Sequence, residues 1–354
     1  MRPLRHTAIV STLLLSAITL AYCCTSTVSA CTRAVYLGPS GQTVCGRSMD
    51  WGEEMQTNLW IFPRGLARDG GLGPGSLKWT SKFGNVVASV YEGGTADGMN
   101  ETGFVTNMLY LAESEYSPAG DKRPALIITS WAQYLLDNFA TVEEAVADAR
   151  KETYRMVPVV APNGAKGTVH VSISDPSGDS AIFEYISGKL VIHHDRKYQV
   201  MTNSPIYDQQ LALNEYWKQI GGTVMLPGTN RAADRFARAS FYINACKQSD
   251  DAREAVASVF SVMRNCSVPR GISTPNQPNI SSTIWRTVSD QKNRVYYFES
   301  TASPSLIWVK LADIDFKDGS GTRKLTLDGN PDLGGNQTAN FQKAAPFKFL
   351  APEH

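Results

Sequence analysis

Apolar and polar residues alternate along most of the first third of this chain, and this pattern predicts β-strands. Val, Thr, Tyr, Phe and Trp are frequent in these segments, and turn-forming clusters such as residues 38–41 separate them. The predicted strands are 31–37, 42–49, 58–63, 84–91 and 103–111.

Helical patterns follow and then alternate with further groups of strands. Apolar positions at helical spacing predict a helix over residues 130–139, and Thr141 with Glu144 forms a capping box that begins a second helix ending near residue 151. Further helices are predicted at 207–220, 231–247 and 251–264. Strands are predicted at 168–174, 180–186, 189–193, 198–202, 283–288, 293–299 and 305–311, with a short final strand near Phe347.

The order of these elements indicates the fold class. Groups of strands and groups of helices succeed one another, without a regular alternation of single strands and helices. This order argues against a doubly wound sheet and predicts an α+β fold, in which helices pack outside antiparallel sheets. The sequence has no evident internal repeat or linker, so we expect a single domain after the N-terminal segment.

Residues 1–30 have the composition of a secretory signal peptide. Arg2 and Arg5 precede an apolar run over residues 9–22, and small residues at 28–30 form a cleavage site. We therefore expect removal of residues 1–30, export to the periplasm or the medium, and a mature domain of residues 31–354. Cys31 would then become the N-terminal residue.

The net charge of the predicted mature domain argues against nucleic acid and anionic membranes as partners. The chain has 34 Lys and Arg residues and 33 Asp and Glu residues, and the signal segment removes two Arg and no acid, which leaves a net charge of −1. Such a domain has no electrostatic attraction to nucleic acid or to an anionic membrane surface. Beyond residue 30, no apolar run approaches the ~20 residues that span a bilayer. We expect no nucleic-acid or membrane partner.

An N-terminal Cys31 would carry a nucleophile and a base in one residue. The α-amine of a chain has an ordinary pKa of about 7.7–8.0, so it accepts protons at neutral pH. This combination predicts an N-terminal-nucleophile hydrolase. Two alternatives stay open on this evidence. Residues 28–31 also resemble a lipoprotein signal, which would make the protein a lipid-anchored binding protein, and Cys31 could be an ordinary cysteine near a domain start.

Three other cysteines belong to the predicted mature domain. In an oxidising compartment Cys246 and Cys266 could form a disulfide, if their Cα atoms approach closely enough. Cys45 is expected to be a small buried apolar residue.

Several hydrolase classes lack their motifs in this sequence. The chain contains neither H-E-x-x-H nor C-x-x-C, which argues against a metal-dependent hydrolase, and it lacks the G-x-S-x-G of α/β-hydrolases. A Cys–His protease would need His170 beside a thiol. His170 lies in the alternating segment 168–174, a pattern that favours a hydrogen-bonded histidine within a sheet.

Polar residues at the ends of predicted strands are candidate partners of Cys31. Arg47 would favour its thiolate and Asp50 would hold its α-amine, with Trp51 adjoining them. Alternatively, Arg47 and Asp50 form a surface ion pair. Asn203 follows a strand, where its amide could donate to an oxyanion or cap the next helix.

Two arginines are spaced for one face of the helix predicted at 231–247. Arg235 and Arg238 lie three positions apart. The pattern alone favours solvated surface charges.

Five sequence blocks together resemble the choloylglycine hydrolase family, which contains penicillin V acylases and bile salt hydrolases. They follow the family's order: Cys31-Thr-Arg, Arg47-Ser-Met-Asp-Trp51, Asp97-Gly-Met-Asn-Glu-Thr-Gly103, Met201-Thr-Asn-Ser-Pro205 and Arg235-Phe-Ala-Arg-Ala-Ser-Phe241. The exported precursor and the Asp50–Trp51 pair most resemble the Gram-negative penicillin V acylases. The resemblance implies a four-layer αββα N-terminal-nucleophile fold, with two antiparallel sheets between helical layers, and a homotetramer.

The resemblance also implies a role for each site residue. Cys31 is the nucleophile, and Arg47 and Asp50 flank it. Asn203 and the backbone N–H of Tyr110 donate to the oxyanion, and Arg235 completes the charged network. These assignments require neither a metal nor a cofactor.

Trp51, Tyr110 and Trp131 could line an apolar pocket for the acyl group of the substrate, and the alternative is that they are aromatic residues of the core. Bile salt hydrolases commonly carry Asn in place of Tyr110, and several Gram-negative acylases carry Trp. An aromatic residue here favours a flat phenoxyacetyl or acyl-chain pocket. We therefore expect a small acyl amide as substrate, with phenoxymethylpenicillin and N-acyl-homoserine lactones as leading candidates and conjugated bile salts as the alternative.

Overall fold

The structure is a computed structural model that describes residues 30–118, 120–272, 281–303 and 305–352. The predicted signal peptide lies outside these residues, apart from the backbone of Ala30. The described residues form five α-helices, α1 to α5 in chain order: Ile128–Asn138, Val142–Ala149, Tyr207–Ile220, Ala232–Ala245 and Ala252–Cys266. They form twenty strands, β1 to β20: Ala30–Leu37, Thr43–Trp51, Leu59–Phe62, Ala67–Asp69, Lys78–Thr80, Asn85–Val90, Gly94–Asn100, Val105–Tyr110, Ala125–Ile127, Arg155–Val157, Val169–Ser174, Ser180–Ile186, Lys189–His194, Val200–Met201, Ser282–Asp290, Val295–Ser300, Leu306–Lys310, Arg323–Leu325, Gly335–Asn336 and Gln342–Lys343.

Two large sheets contain most of these strands. The first sheet has seven strands in the order β14-β1-β2-β15-β16-β17-β19. The second has nine strands in the order β13-β12-β11-β8-β7-β6-β3-β18-β20. Neighbouring strands are antiparallel in both sheets except at the edge pair β17 and β19, which is parallel.

Helices cover each sheet on the side away from the other sheet. Helix α4 packs on β1, α5 packs on β2 and β15, and α3 packs on α4. On the second sheet, α1 packs on β7 and β8, and α2 packs on β12. One apolar cluster joins the two sheets with α4 and α5, and another lies between the second sheet and α1 and α2. The αββα prediction is confirmed.

The helix predictions agree with the structure to within two residues at most ends. The capping box is present at the start of α2, where the Thr141 hydroxyl accepts from the Glu144 N–H at 3.2 Å and the Glu144 carboxylate accepts from the Thr141 N–H at 3.3 Å. Helix α3 has the predicted bounds.

Strand β7 is central to the second sheet, yet the sequence pattern does not predict it. Its sequence is rich in Gly and polar residues, because the polar side chains of β7 are buried and form hydrogen bonds within the protein. Asp97 accepts from the Tyr296 hydroxyl at 2.6 Å and from Asn107 Nδ2 at 2.7 Å. Gly98 lets α1 approach closely, since a Cβ at this position would lie 2.8 Å from Leu136 Cδ1.

The strand predicted near Phe347 is not formed, so that prediction was wrong. Residues 344–352 follow β20 without regular secondary structure. Several of their apolar side chains pack against the cluster between the second sheet and α1. Tertiary packing, rather than a β-ladder, explains the apolar character of this segment. No helix among the described residues is long and apolar enough to cross a membrane.

Candidate active site

Strand register determines which side chains surround Cys31 at the start of β1. In the pairing of β1 with β2, Cys31 is opposite Met49, and Ala30 is opposite Asp50. Side chains alternate between the two faces of a strand. Cys31, Arg47 and Met49 therefore share the face directed toward the second sheet, and Asp50 lies on the face directed toward the helices.

The Cys31 sulfur lies beside a buried guanidinium. Arg47 Nη2 is 3.9 Å from Sγ and donates to the Met108 carbonyl oxygen at 3.0 Å. The guanidinium carbon also lies 4.4 Å from the ring centroid of Trp285, a cation–π distance. Arg47 is fully buried and forms no ion pair with Asp50, so the surface ion-pair interpretation was wrong.

Burial raises the pKa of the Cys31 thiol, and the opposing effect of the Arg47 charge is smaller. The Arg47 charge does lower the thiol pKa, as expected, but the effect of burial is larger. The thiol is therefore protonated at neutral pH. It needs a base before it can attack a carbonyl carbon.

Asp50 is buried on the opposite face of the sheet. Its Oδ1 accepts from the Thr283 hydroxyl at 2.6 Å, and its Oδ2 lies 3.9 Å from Arg235 Nη1. Oδ2 accepts no hydrogen bond from the described residues. Burial raises the pKa of Asp50 to about 6, although Arg235 and Thr283 act in the other direction.

Helix α4 carries Arg235 into this region, where it is fully buried. Its guanidinium donates to the Thr32 hydroxyl at 2.6 Å, to the Cys31 carbonyl oxygen, and to Asn203 Oδ1 at 2.7 Å. Arg238 is also buried, and it donates to the carbonyl oxygen of Pro227 at 2.7 Å. The interpretation of both arginines as solvated surface charges was therefore wrong.

Asn203, just after β14, contacts Cys31 directly. Its Oδ1 accepts from the Cys31 backbone nitrogen at 2.6 Å and from Arg235, and its Nδ2 donates to the Tyr110 carbonyl oxygen at 2.7 Å. The N-cap of α3 is Ile206, not Asn203, so the capping interpretation was wrong. The amide instead links three elements around Cys31.

Strand β8 presents a free edge next to this amide. Its pairing with β7 ends at Asn107. The Leu111 N–H donates to the Thr168 carbonyl oxygen, so the alternating antiparallel pattern turns the backbone groups of Met108 and Tyr110 away from β11. On that free edge, their carbonyl oxygens accept from Arg47 and Asn203. The Tyr110 N–H therefore points toward the same side as the groups around Cys31.

An apolar cavity of about 100 Å³ begins at Cys31. Trp51 and Tyr110 both line it, and their rings meet edge to face with centroids 6.3 Å apart. Met, Val, Ala, Ile and Leu side chains make up most of the remaining wall: Met49, Met55, Val90, Ala96, Met108, Leu109, Ile128, Val159, Ala161, Ala165, Val169 and Leu350. Such a cavity suits an apolar acyl group.

Trp131 does not line this cavity. It is buried in the cluster under α1, where its ring stacks on Phe183 at a centroid distance of 6.5 Å. Its predicted contact with the substrate was therefore wrong. The helical spacing that identifies Trp131 as apolar does not distinguish a core position from a pocket wall.

The remaining histidine and cysteine predictions have mixed outcomes. His170 is buried in β11, and its ring nitrogens lie 3.0 Å from Glu184 Oε1 and 2.8 Å from the Thr202 carbonyl oxygen, as expected for a hydrogen-bonded sheet histidine. Cys45 is buried, as expected. Cys246 and Cys266 are both free thiols, so the disulfide considered for them is not formed.

Three residues around Cys31, Arg47 and Asp50 lack a strong signal in the sequence. Met49 shares a strand face with Arg47, and alternation along β2 could have identified it. Thr283 and Trp285 lie on β15, more than two hundred positions away in sequence, and only sheet topology brings them to Asp50 and Arg47.

One group of described residues has donors close enough to hold a metal ion. Ligand atoms of Glu143, Asp179 and His194 lie within 4.8 Å of one another. None of the three lines the Cys31 cavity.

Sequence comparison identifies the family to which the chain is similar. A family model described as linear amide C–N hydrolases, choloylglycine hydrolase family, matches residues 31–325. The penicillin V acylase of Pectobacterium atrosepticum is 50% identical over 345 residues, covering 90% of this chain and 92% of that protein. A bile salt hydrolase/transferase of Clostridium perfringens is 26% identical over 230 residues, covering 58% of this chain and 69% of that protein.

Among solved structures too, a penicillin V acylase is more similar to this chain than a bile acid hydrolase is. A penicillin V acylase from Agrobacterium tumefaciens superposes with a TM-score of 0.85 at 55% identity, covering 90% of this chain and 99% of that one. A variant of the conjugated bile acid hydrolase from Clostridium perfringens has a TM-score of 0.71 at 23% identity, covering 83% and 96% of the two chains. At this lower identity, the likeness concerns the fold.

Proposed function

This chain belongs to the choloylglycine hydrolase family of linear amide C–N hydrolases, and we propose that it is a penicillin V acylase whose nucleophile is Cys31. The observation that carries the proposal is the position of Cys31. Its thiol opens into an apolar cavity, and its backbone nitrogen lies 2.6 Å from Asn203 Oδ1.

The base in this proposal is the α-amine that cleavage after Ala30 would create. In the uncleaved chain, the Cys31 nitrogen is a peptide N–H and cannot accept a proton. After cleavage, the amine would retain Asn203 Oδ1 as an acceptor. Asp50, whose Oδ2 lies 3.9 Å from Arg235 Nη1, would gain the ammonium as a second cationic neighbour, because Ala30, opposite Asp50 in the ladder, is removed.

The first half-reaction acylates the enzyme. The amine takes the thiol proton while sulfur attacks the amide carbon, and a tetrahedral oxyanion forms. The Asn203 amide retains a second N–H, and the Tyr110 N–H lies on the free edge of β8. These two donors would stabilise the oxyanion. The ammonium then protonates the leaving nitrogen, the C–N bond breaks, and a thioester remains on Cys31.

The second half-reaction releases the acid. Water transfers a proton to the amine and attacks the thioester carbon, and the same donors stabilise the second oxyanion. Collapse breaks the C–S bond, and the ammonium returns a proton to sulfur. Arg235 acts as a positioning residue, because it bonds Asn203 Oδ1 and the Cys31 carbonyl oxygen without facing the cavity.

The cavity favours a flat aromatic or linear acyl group as substrate. Trp51 and Tyr110 meet edge to face close to Cys31, and the wall beyond them is built from side chains of moderate size. Phenoxymethylpenicillin would present its phenoxyacetyl group to this cavity, and N-acyl-homoserine lactones would present an alkyl chain. The more distant likeness to bile salt hydrolases makes conjugated bile salts the alternative substrate class.

Parallel assays with three substrates test this function. The purified mature protein is incubated with penicillin V, a long-chain N-acyl-homoserine lactone and glycocholate, and free amine release is measured. We expect penicillin V to be cleaved and glycocholate to be cleaved poorly. A preference for glycocholate would overturn the acylase assignment, and no cleavage of any amide would overturn the catalytic proposal.

Maturation gives a separate prediction about the N-terminus. We expect intact-mass and peptide analysis of the exported protein to find Cys31 first, with an unmodified amine and thiol. A form that retains residues before Cys31 should be inactive, because its terminal amine is elsewhere. An acylated or lipidated Cys31 would support the lipid-anchored alternative and refute the enzyme mechanism.

Asp50 should give the activity an acidic limb. Burial raises the pKa of Asp50 to about 6, and the ammonium of a cleaved Cys31 would pull it back toward its usual range. As pH falls through the interval from about 6 to 4, the carboxylate is neutralised and its hold on the amine is lost. We expect kcat/KM to show a further fall over this interval, below the fall near the α-amine pKa that protonation of the base itself causes. In Asp50→Asn, activity should be low and this limb absent; an unchanged pH profile in that variant would contradict the assignment.

We also propose export to the periplasm and assembly as a homotetramer. Exposed apolar side chains on α3 and the loop after it support an interface: Leu213, Tyr216, Val224 and Met225. Light scattering on the purified mature protein tests the tetramer, and cell fractionation tests the location.

A further inference from the structure

The apolar cavity extends between two different cores of the protein. At one end, Cys31 belongs to the cluster that joins the two sheets. At another part of the wall, Leu350 packs with the separate cluster between the second sheet and α1. Leu350 lies in the segment 344–352, beyond the region that the family model matches. This terminal segment, which we call the tail, thus contributes to the wall of the substrate cavity.

Aromatic contacts hold the tail on the second sheet. Phe347 meets Trp60 edge to face with centroids 5.0 Å apart, and it contacts Phe62 at 5.6 Å. Phe349 packs on Phe347 at 5.0 Å, and the Arg68 guanidinium lies 5.6 Å from the centroid of the Phe349 ring. These contacts fix the course of the tail immediately before Leu350.

Two backbone hydrogen bonds then fix Leu350 itself. Its N–H donates to the Gly93 carbonyl oxygen at 2.7 Å, and its carbonyl oxygen accepts from the Thr129 hydroxyl at 2.8 Å. Gly93 and Thr129 also line the cavity. The approach is close, because a Cβ at Gly93 would lie 2.9 Å from Leu350 Cβ. The position of the Leu350 side chain is therefore determined by the fold and not by chance packing of a loose terminus.

We propose that Leu350 is a specificity-determining residue that limits the length of the acyl group the cavity accepts. The inference rests on the proposed acylase function, since it concerns the acyl side of the same site. Cys31 fixes the position of the reacting carbonyl carbon, and an acyl chain that enters the cavity extends from there. A bulky side chain on the wall, packed with a different apolar cluster from that of Cys31, then sets how many carbons fit.

Because Leu350 lies on the tail, the accepted length of the acyl group can change without a change in the reacting groups around Cys31. Leu350 has no hydrogen bond to Cys31, Asn203 or Arg235, and its anchors are Gly93 and Thr129 on the second-sheet side. A change at Leu350 should alter which acyl group is accepted and leave the reacting groups in place.

A chain-length series tests the proposal. The kcat/KM of straight-chain N-acyl amides from hexanoyl to dodecanoyl is measured for the mature protein and for Leu350→Ala. A hydrophobic pocket discriminates one methylene by about 10–200-fold. We expect the ratio of kcat/KM for the longest to the shortest chain to rise at least about tenfold in Leu350→Ala. Leu350→Phe should move the ratio in the opposite direction.

Two further variants separate the tail wall from general damage to the fold. Lys348 is exposed on the same segment and does not line the cavity, so Lys348→Ala should leave the chain-length profile unchanged. Phe347→Ala weakens the anchor of the tail and should shift the profile in the direction of Leu350→Ala. Thermal unfolding confirms that each variant is folded before its activity is compared.

The outcomes distinguish the inference from the function on which it rests. If the parent protein cleaves neither penicillin V nor any of these amides, the proposed function fails. If it cleaves penicillin V but none of the straight-chain amides, the function stands and the role of Leu350 in limiting chain length is refuted. If the parent cleaves them and Leu350→Ala and Leu350→Phe keep the profile of Lys348→Ala, the function stands and the role of Leu350 is refuted.

Discussion

Replacing Cys31 by Ser is expected to lower kcat/KM by at least about a thousandfold while the protein remains folded. The substitution exchanges sulfur for oxygen in nearly the same volume, and the backbone contacts of residue 31 to Asn203 and Arg235 do not involve the side chain. A serine hydroxyl is a much weaker nucleophile at this position. Its pKa is far higher than that of a thiol, and the α-amine would be a poor base for it.

Cys45→Ser is the matched control for that experiment. Cys45 is also a buried thiol, but it does not line the cavity, and its sulfur lies 3.3 Å from Asn107 Oδ1, a contact that a serine hydroxyl can keep. Its activity should stay near that of the parent protein. Penicillin V turnover and thermal unfolding are measured for both variants. Substantial turnover by Cys31→Ser, or equal losses in the two variants, would contradict the assignment of the nucleophile.

Asn203→Ala is expected to lower turnover by roughly 100–1000-fold, the usual cost of removing one oxyanion donor. This residue also accepts hydrogen bonds from the Cys31 nitrogen and from Arg235, so alanine removes both a donor and a positioning contact. The expected loss should appear mainly in kcat, because the oxyanion exists only in the transition state and intermediates.

Asn203→Asp separates the two contributions of the amide. A carboxylate can still accept from the Cys31 nitrogen and from Arg235, but it has no N–H to donate to an oxyanion. We expect turnover by Asn203→Asp to be as low as that by Asn203→Ala, with thermal stability closer to that of the parent. Near-parental turnover by the aspartate variant would refute the donor role and leave only a positioning role.

Patterns of neighbouring residues predict much of this fold, because many of its strands alternate in polarity and its second helix begins at a capping box. Alternation identified the strands that contain Cys31 and Arg47, and a capping box identified the start of α2. Alternation does not predict strand β7, because the residue types at Asp97 and Gly98 are determined by contacts with other elements. Asp97 accepts hydrogen bonds from Asn107 and Tyr296, and the absence of a side chain at Gly98 leaves room for Leu136. The apolar residues of the tail predict a strand near Phe347, but they are apolar because they pack on the cluster between the second sheet and α1.

The sequence predicts which residues form the candidate site better than it predicts how they are placed relative to one another. The sequence blocks contained Cys31, Asp50 and Asn203, which the structure brings together. That Asp50 and the thiol occupy opposite faces of one sheet follows from register, since Cys31 is opposite Met49. Register depends on how distant segments pair, and so do the contacts of Trp285 with Arg47. A linear pattern does not contain that information.

The charge balance around the nucleophile has a consequence for how the site responds to ligands. Two buried guanidinium groups, those of Arg47 and Arg235, lie near Cys31. The buried carboxyl groups of Asp50 and Asp97 interact with them electrostatically. Arg47 Nε and Nη1 have no hydrogen-bond partner among the described residues. The two guanidinium groups therefore favour negative charge at this buried position. An adduct that carries negative charge next to sulfur is stabilised by these guanidinium groups, so tetrahedral mimics should bind this enzyme far better than neutral amides of the same shape.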